Sequence, residues 1–120
     1  NELGDEGTKE LAVALIECPS LLELQLGSNR IGDVGAIAIA AILQGSKSLH
    51  TLDLADNCIG DAGARAFAKA LTLQSCGGLS FLFLNGNHIG DAGADAFLNA
   101  MDSCCIEELH LSGNPISNGA

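Results

Sequence analysis

Residues 79–94 read Leu-Ser-Phe-Leu-Phe-Leu-Asn-Gly-Asn-His-Ile-Gly-Asp-Ala-Gly-Ala, and residues 49–64 read Leu-His-Thr-Leu-Asp-Leu-Ala-Asp-Asn-Cys-Ile-Gly-Asp-Ala-Gly-Ala. The two stretches share a Leu-x-x-Leu-x-Leu frame, an Asn-x-Ile step and a Gly-Asp-Ala-Gly-Ala end. Residues 21–36 carry the same frame at Leu21, Leu24, Leu26, Asn29, Ile31, Gly32 and Asp33, and a fourth copy begins at Ile106, Leu109, Leu111, Asn114 and Ile116. Asn29, Asn57, Asn87 and Asn114 are 28, 30 and 27 residues apart. Self-similarity at such a period marks a stacked array in which each unit covers its neighbour's apolar face. Leu3-Gly4-Asp5 lies 28 residues before Ile31-Gly32-Asp33, so a half-repeat precedes the first full unit. One segment, 1–120, is therefore expected: a half-repeat at 1–20, repeats at 21–48, 49–78 and 79–105, and a partial repeat at 106–120.

Each unit reads as a strand, a turn and a helix. The alternating leucines place one side-chain row on the inner face of a strand and their neighbours on the other. In the Ile-Gly-Asp-x-Gly-Ala turn, Gly tolerates tight backbone angles and Asp can cap the helix that follows. Apolar residues then recur at i, i+3, i+4 and i+7. The sets are Thr8, Leu11, Ala12, Leu15; Ala36, Ile39, Ala40, Leu43; Ala64, Phe67, Ala68, Leu71; and Ala94, Phe97, Leu98, Met101. That is one helical face aimed at the strand layer. Ala38, Ala66 and Ala96 form a second column, small enough for helices to approach. The Asn column is expected to hydrogen-bond backbone groups at the strand-to-turn bend, from one repeat to the next.

The recurring Leu-x-x-Leu-x-Leu-x-x-Asn-x-Ile-Gly-Asp-x-Gly-Ala resembles the leucine-rich repeats of the ribonuclease-inhibitor type, found also in NOD-like receptors and the Ran GTPase-activating protein. The resemblance covers essentially the whole chain. It implies an α/β leucine-rich-repeat solenoid, a right-handed horseshoe segment with parallel strands on the concave face and helices on the convex face. Ribonuclease inhibitor alternates Asn and Cys at the turn position, whereas this chain has Asn each time, which makes it more similar to the receptor-like and GTPase-activating relatives. Curvature is expected independently of the name: strands stack about 4.8 Å apart while helix axes need roughly 8–10 Å. The helices must fan outward.

Composition narrows the function classes. Hydrophobic residues make up 48% of the chain and aromatics 3%, so Leu, Ile and Ala must fill the core. The formal net charge is −10, and all five bases (Lys9, Arg30, Lys47, Arg65, Lys69) precede residue 70. This sign opposes binding to nucleic acid or to an anionic membrane surface, and no apolar run is long enough to span a bilayer. The five cysteines (18, 58, 76, 104, 105) are odd in number and form no CxxC framework, which suggests free thiols in a reducing cytoplasm. Residues 1–5 lack the basic and apolar regions of a signal peptide. Without a starting Met, and with residues 116–120 standing where another helix should begin, the chain reads as an excised segment.

The strand residues beside the core leucines are the natural binding surface. They are Glu23 and Gln25, Thr51 and Asp53, Phe81 and Phe83, Glu108 and His110. Phe81 and Phe83 stand out on a polar face, since exposing each costs about 1.5–3 kcal/mol relative to burial. Asp53, Asp56, Glu107 and Glu108 would ring them with negative charge, the anatomy of an interface anchor. The expected partner is a protein presenting basic and apolar groups. No cofactor is implied. Asp33, Asp61 and Asp91 are better read as helix caps than as calcium ligands. Cys58 and His88 share a column but have no orienting third group, and Pro115 in the same column suggests that its backbone N–H is dispensable. His50 and His110 fall in different columns, a poor zinc pair. Vicinal Cys104 and Cys105 rarely offer ligand geometry. The reading is a protein-interaction module of a larger receptor or regulator and not an enzyme; the alternatives are a GTPase-activating domain resembling that for Ran, or a ribonuclease inhibitor.

Overall fold

The structure, a computed structural model, describes residues 4–15, 22–43, 49–73, 79–101 and 106–116. Helices and strands alternate along them: α1 (Gly4–Leu15), β1 (Glu23–Gln25), α2 (Asp33–Leu43), β2 (Thr51–Asp53), α3 (Asp61–Leu73), β3 (Phe81–Phe83), α4 (Asp91–Ala100) and β4 (Glu108–His110). The strands pair in chain order as one parallel sheet, and each helix packs on the next. Sequential parallel strands joined by helices, all stacked in one direction, make an α/β solenoid. Register follows the repeat without slippage: Leu24, Leu52, Leu82 and Leu109 are successive partners.

The core lies between the two layers. Leu52, Leu54, Leu82 and Leu84 from the strand side meet Ile39, Leu43, Phe67, Leu71 and Phe97 from the helix side, all of them buried. Leu98 and Met101 depart from their expected place in this core, being 59% and 40% exposed. Their counterparts Ala68 and Leu71 are buried on a helix that packs on both α2 and α4, whereas among the described residues α4 packs on α3 alone. Instead, Leu98 and Met101 line a cavity of about 290 Å³ with Phe97, Leu109 and Leu111.

A buried asparagine ladder ties the repeats together. Asn57 Oδ1 accepts from the backbone N–H of Asn29 and Ile31, both at 2.9 Å, while its Nδ2 donates to Leu26 O at 3.0 Å and Leu54 O at 2.9 Å. Asn87 and Asn114 each repeat both carbonyl contacts one unit on and accept from the backbone N–H of Ile59 and Ile89 respectively. Each amide thus satisfies bend groups of two repeats that no strand or helix ladder reaches. The residue just before each Asn is left-handed, namely Ser28, Asp56, Gly86 and Gly113, with φ between 58° and 74°, and in the first turn Arg30 is left-handed as well, at φ 59°.

Two expectations for the turn change. The glycines of the three full Gly-Asp-x-Gly turns do not have left-handed backbones, Gly90 for example having φ −103°, whereas Gly4 of the leading half-repeat does, at φ 65°. Gly35, Gly63 and Gly93 are required for space instead, because a Cβ at Gly63 would lie 2.6 Å from Ile59 Cγ2 and 2.9 Å from Asp33 Oδ1. The aspartates do cap helices, but across the repeat boundary. Asp5 Oδ1 accepts from Gly32 and Gly35, Asp33 Oδ1 from Gly60 and Gly63, and Asp61 Oδ1 from Gly90 and Gly93, at 2.7–3.0 Å. Each carboxylate stands in the first turn of one helix and serves the start of the next.

Candidate functional site

Register turns the eight candidate residues into two straight columns. Glu23, Thr51, Phe81 and Glu108 are successive Cα partners, as are Gln25, Asp53, Phe83 and His110. Their leucine neighbours at 52 and 82 are fully buried, so the columns stand on the sheet face opposite the helices. The strands hold these side chains in place because the core row on the other face admits no one-residue slip.

Phe81 and Phe83 occupy the middle of this face, between Thr51 and Asp53 on one side and Glu108 and His110 on the other. They are half-buried, not open to solvent as their polar surroundings suggested. Part of the cover comes from His110, whose ring stacks on Phe83 with centroids 4.5 Å apart and planes 23° from parallel. His110 Nε2 in turn lies 2.9 Å from Glu108 Oε1, which holds the imidazole against the phenyl ring. Asp53 is fixed as well: its Oδ1 accepts from Ala55 N at 3.0 Å. Asp56 and Glu107 are exposed beyond the strand ends and do not join the two columns. None of the four strands carries Lys or Arg; the described bases lie on α1 and α3 and at Arg30 after β1. The face thus offers an aromatic centre and carboxylates with no Lys or Arg beside them on the strands.

A family profile described as Leucine Rich repeat matches residues 17–40, 45–68, 79–98 and 102–119, well over half of the chain. The chain is a leucine-rich repeat protein. No curated protein matches the sequence. Leucine-rich repeats are generally protein-interaction modules, and the family is typically non-enzymatic.

The remaining candidates of this leucine-rich repeat chain fare differently. Cys58 and His88 are both exposed, and no hydrogen bond joins them among the described residues. Their column does use its backbone N–H, contrary to the expectation drawn from Pro115: Cys58 N donates to Ile31 O at 2.7 Å and His88 N to Ile59 O at 2.8 Å. Proline ends that series at the fourth repeat because it has no proton to give. His50 and His110 are separated by β3, and no group of three metal-ligating side chains stands together among the described residues. Cys104 and Cys105 lie outside the described residues. The Phe83–His110 stack was missed from sequence. The shared column was readable, but the orientation of the rings was not.

Proposed function

We propose that this chain is the protein-binding portion of a larger receptor or regulatory protein, and that its strand face engages a partner presenting basic and apolar groups. The observation carrying this reading is the Phe81–Phe83 pair, half-buried at the centre of a face that has carboxylates and no base on any strand. Interfaces draw most of their energy from a few aromatic anchors ringed by polar groups. An acidic surround steers cationic partners and repels phosphate backbones and anionic membrane surfaces. The strand–turn–helix unit supports kinship with the ribonuclease-inhibitor type, and the uniform Asn ladder favours the receptor-like and GTPase-activating members of it. The exposed free thiol of Cys58 is in keeping with a cytoplasmic setting.

The test is the double variant Phe81→Ser/Phe83→Ser. Proteins captured by the wild-type chain are identified, and the affinity of a purified partner is measured by calorimetry beside the thermal stability of both chains. A loss of about tenfold or more in affinity is expected. Unchanged affinity in a folded double variant would exclude the strand face as the binding surface.

A further inference from the structure

Beyond the general preference for a basic partner, the geometry of one column specifies a side chain. Asp53, Phe83 and His110 are register partners on β2, β3 and β4. The 4.5 Å separation of the Phe83 and His110 rings matches the spacing of neighbouring strands, about 4.8 Å, so the rings stack along the strand-to-strand direction. His110 takes one face of Phe83. The opposite face is turned toward β2, where Asp53 is the next member of the column. One carboxylate oxygen of Asp53 is held by Ala55 N, and Oδ2 has no hydrogen-bond partner among the described residues. An aromatic face and an uncommitted carboxylate oxygen therefore flank one slot.

We infer that this slot receives an arginine side chain of the protein partner, an inference that rests on reading the strand face as the binding surface. A cation over an aromatic ring gains from the ring quadrupole, and a carboxylate at the same cation adds a charge-assisted hydrogen bond. Arginine is favoured over lysine because its planar guanidinium stacks on a ring while its edge donates to a carboxylate. An ammonium must choose between the two. The slot is already arranged: Glu108 holds His110, His110 backs Phe83, and Ala55 N holds Asp53. Little ordering remains to oppose binding.

The experiment titrates the whole chain with N-acetyl-L-argininamide, and in parallel with N-acetyl-L-lysinamide, while the ring signals of the four labelled phenylalanines are followed by NMR. The arginine probe is expected to shift Phe83 saturably and to bind at least twice as tightly as the lysine probe. Asp53→Asn, read at Phe83, and Phe83→Leu, read by calorimetry, should each weaken it about three- to fivefold. Glu10→Gln, which removes the same charge from the exposed face of α1, should leave the titration unaltered. Absence of a saturable Phe83 shift, equal response to both probes, or wild-type affinity in a folded Asp53→Asn chain would overturn the inference. Failure here, with partner binding still lost in Phe81→Ser/Phe83→Ser, would leave the strand-face reading standing. Partner binding indifferent to that double variant would remove the strand-face reading, and the partner's arginine with it.

Discussion

At the residue scale, positions that look interchangeable in sequence have different physical burdens. Gly60 and Gly63 belong to the same Gly-Asp-Ala-Gly turn, and neither has a left-handed backbone. A Cβ at Gly60 would meet nothing closer than Asp33 Oδ2 at 3.4 Å, whereas one at Gly63 would lie 2.6 Å from Ile59 Cγ2. Helix propensity alone favours alanine over glycine inside α3 by about 1 kcal/mol. Overlap with a fully buried isoleucine works against it, at about 1–3 kcal/mol. Gly63→Ala should therefore destabilise the chain by up to about 2 kcal/mol in urea unfolding, while Gly60→Ala should stay within about 0.5 kcal/mol of wild type. Equal effects at both positions would show that crowding is not what the second glycine relieves. The asparagines have an opposite burden: Asn57 is kept for what its amide reaches, since its two ends join Leu26 and Leu54 carbonyls to Asn29 and Ile31 amides.

At the element scale, the starts of α2, α3 and α4 each depend on a carboxylate one repeat away. Asp33 belongs to α2, but its Oδ1 accepts from Gly60 and Gly63 at the entry to α3, at 2.8 and 2.9 Å. Losing a helix cap costs about 0.5–2 kcal/mol. Asp33→Ala should lower stability by that amount and speed amide hydrogen exchange at Gly60 and Gly63, with little change at Gly32 and Gly35, which Asp5 serves. Faster exchange at Gly32 and Gly35 alone would mean that Asp33 caps its own helix after all. This is also where legibility in the sequence stopped. Period 2 in the leucines, helical period in the alanines and the 27–30-residue repeat of the asparagines specified elements, order and register. Those signals record which face of an element meets the core. Identical aspartates in identical turns, however, cannot say whether a carboxylate serves its own repeat or the next, because both choices have the same pattern. The same limit applies to the site: Phe83 and His110 were assignable to one column, but ring stacking depends on side-chain torsions that no spacing encodes.

At the scale of the whole molecule, stability should follow position along the stack. Among the described residues, strands pair with neighbouring strands and helices pack mainly on neighbouring helices, so the energy is a sum of repeat terms and nearest-neighbour interfaces. Leu24 and Leu82 occupy the same position of the repeat, yet Leu82 is fully buried between β2 and β4 while Leu24 on β1 is only partly buried. Removing a fully buried leucine side chain leaves a cavity as well as lost transfer energy, about 2–5 kcal/mol together. A half-covered one loses about half of a transfer term near 1.5–3 kcal/mol and leaves no closed cavity. Leu82→Ala should therefore be about 2 kcal/mol more damaging than Leu24→Ala in urea unfolding of the 120-residue chain. Hydrogen exchange should separate them in space too. Leu24→Ala should loosen β1 and α2 and spare β3, which is not a sheet neighbour of β1. Leu82→Ala should loosen β2, β3 and β4 together. If both substitutions instead reduced protection uniformly from α1 to β4, the chain would be unfolding as one indivisible core, and additive coupling between adjacent repeats would have to be abandoned.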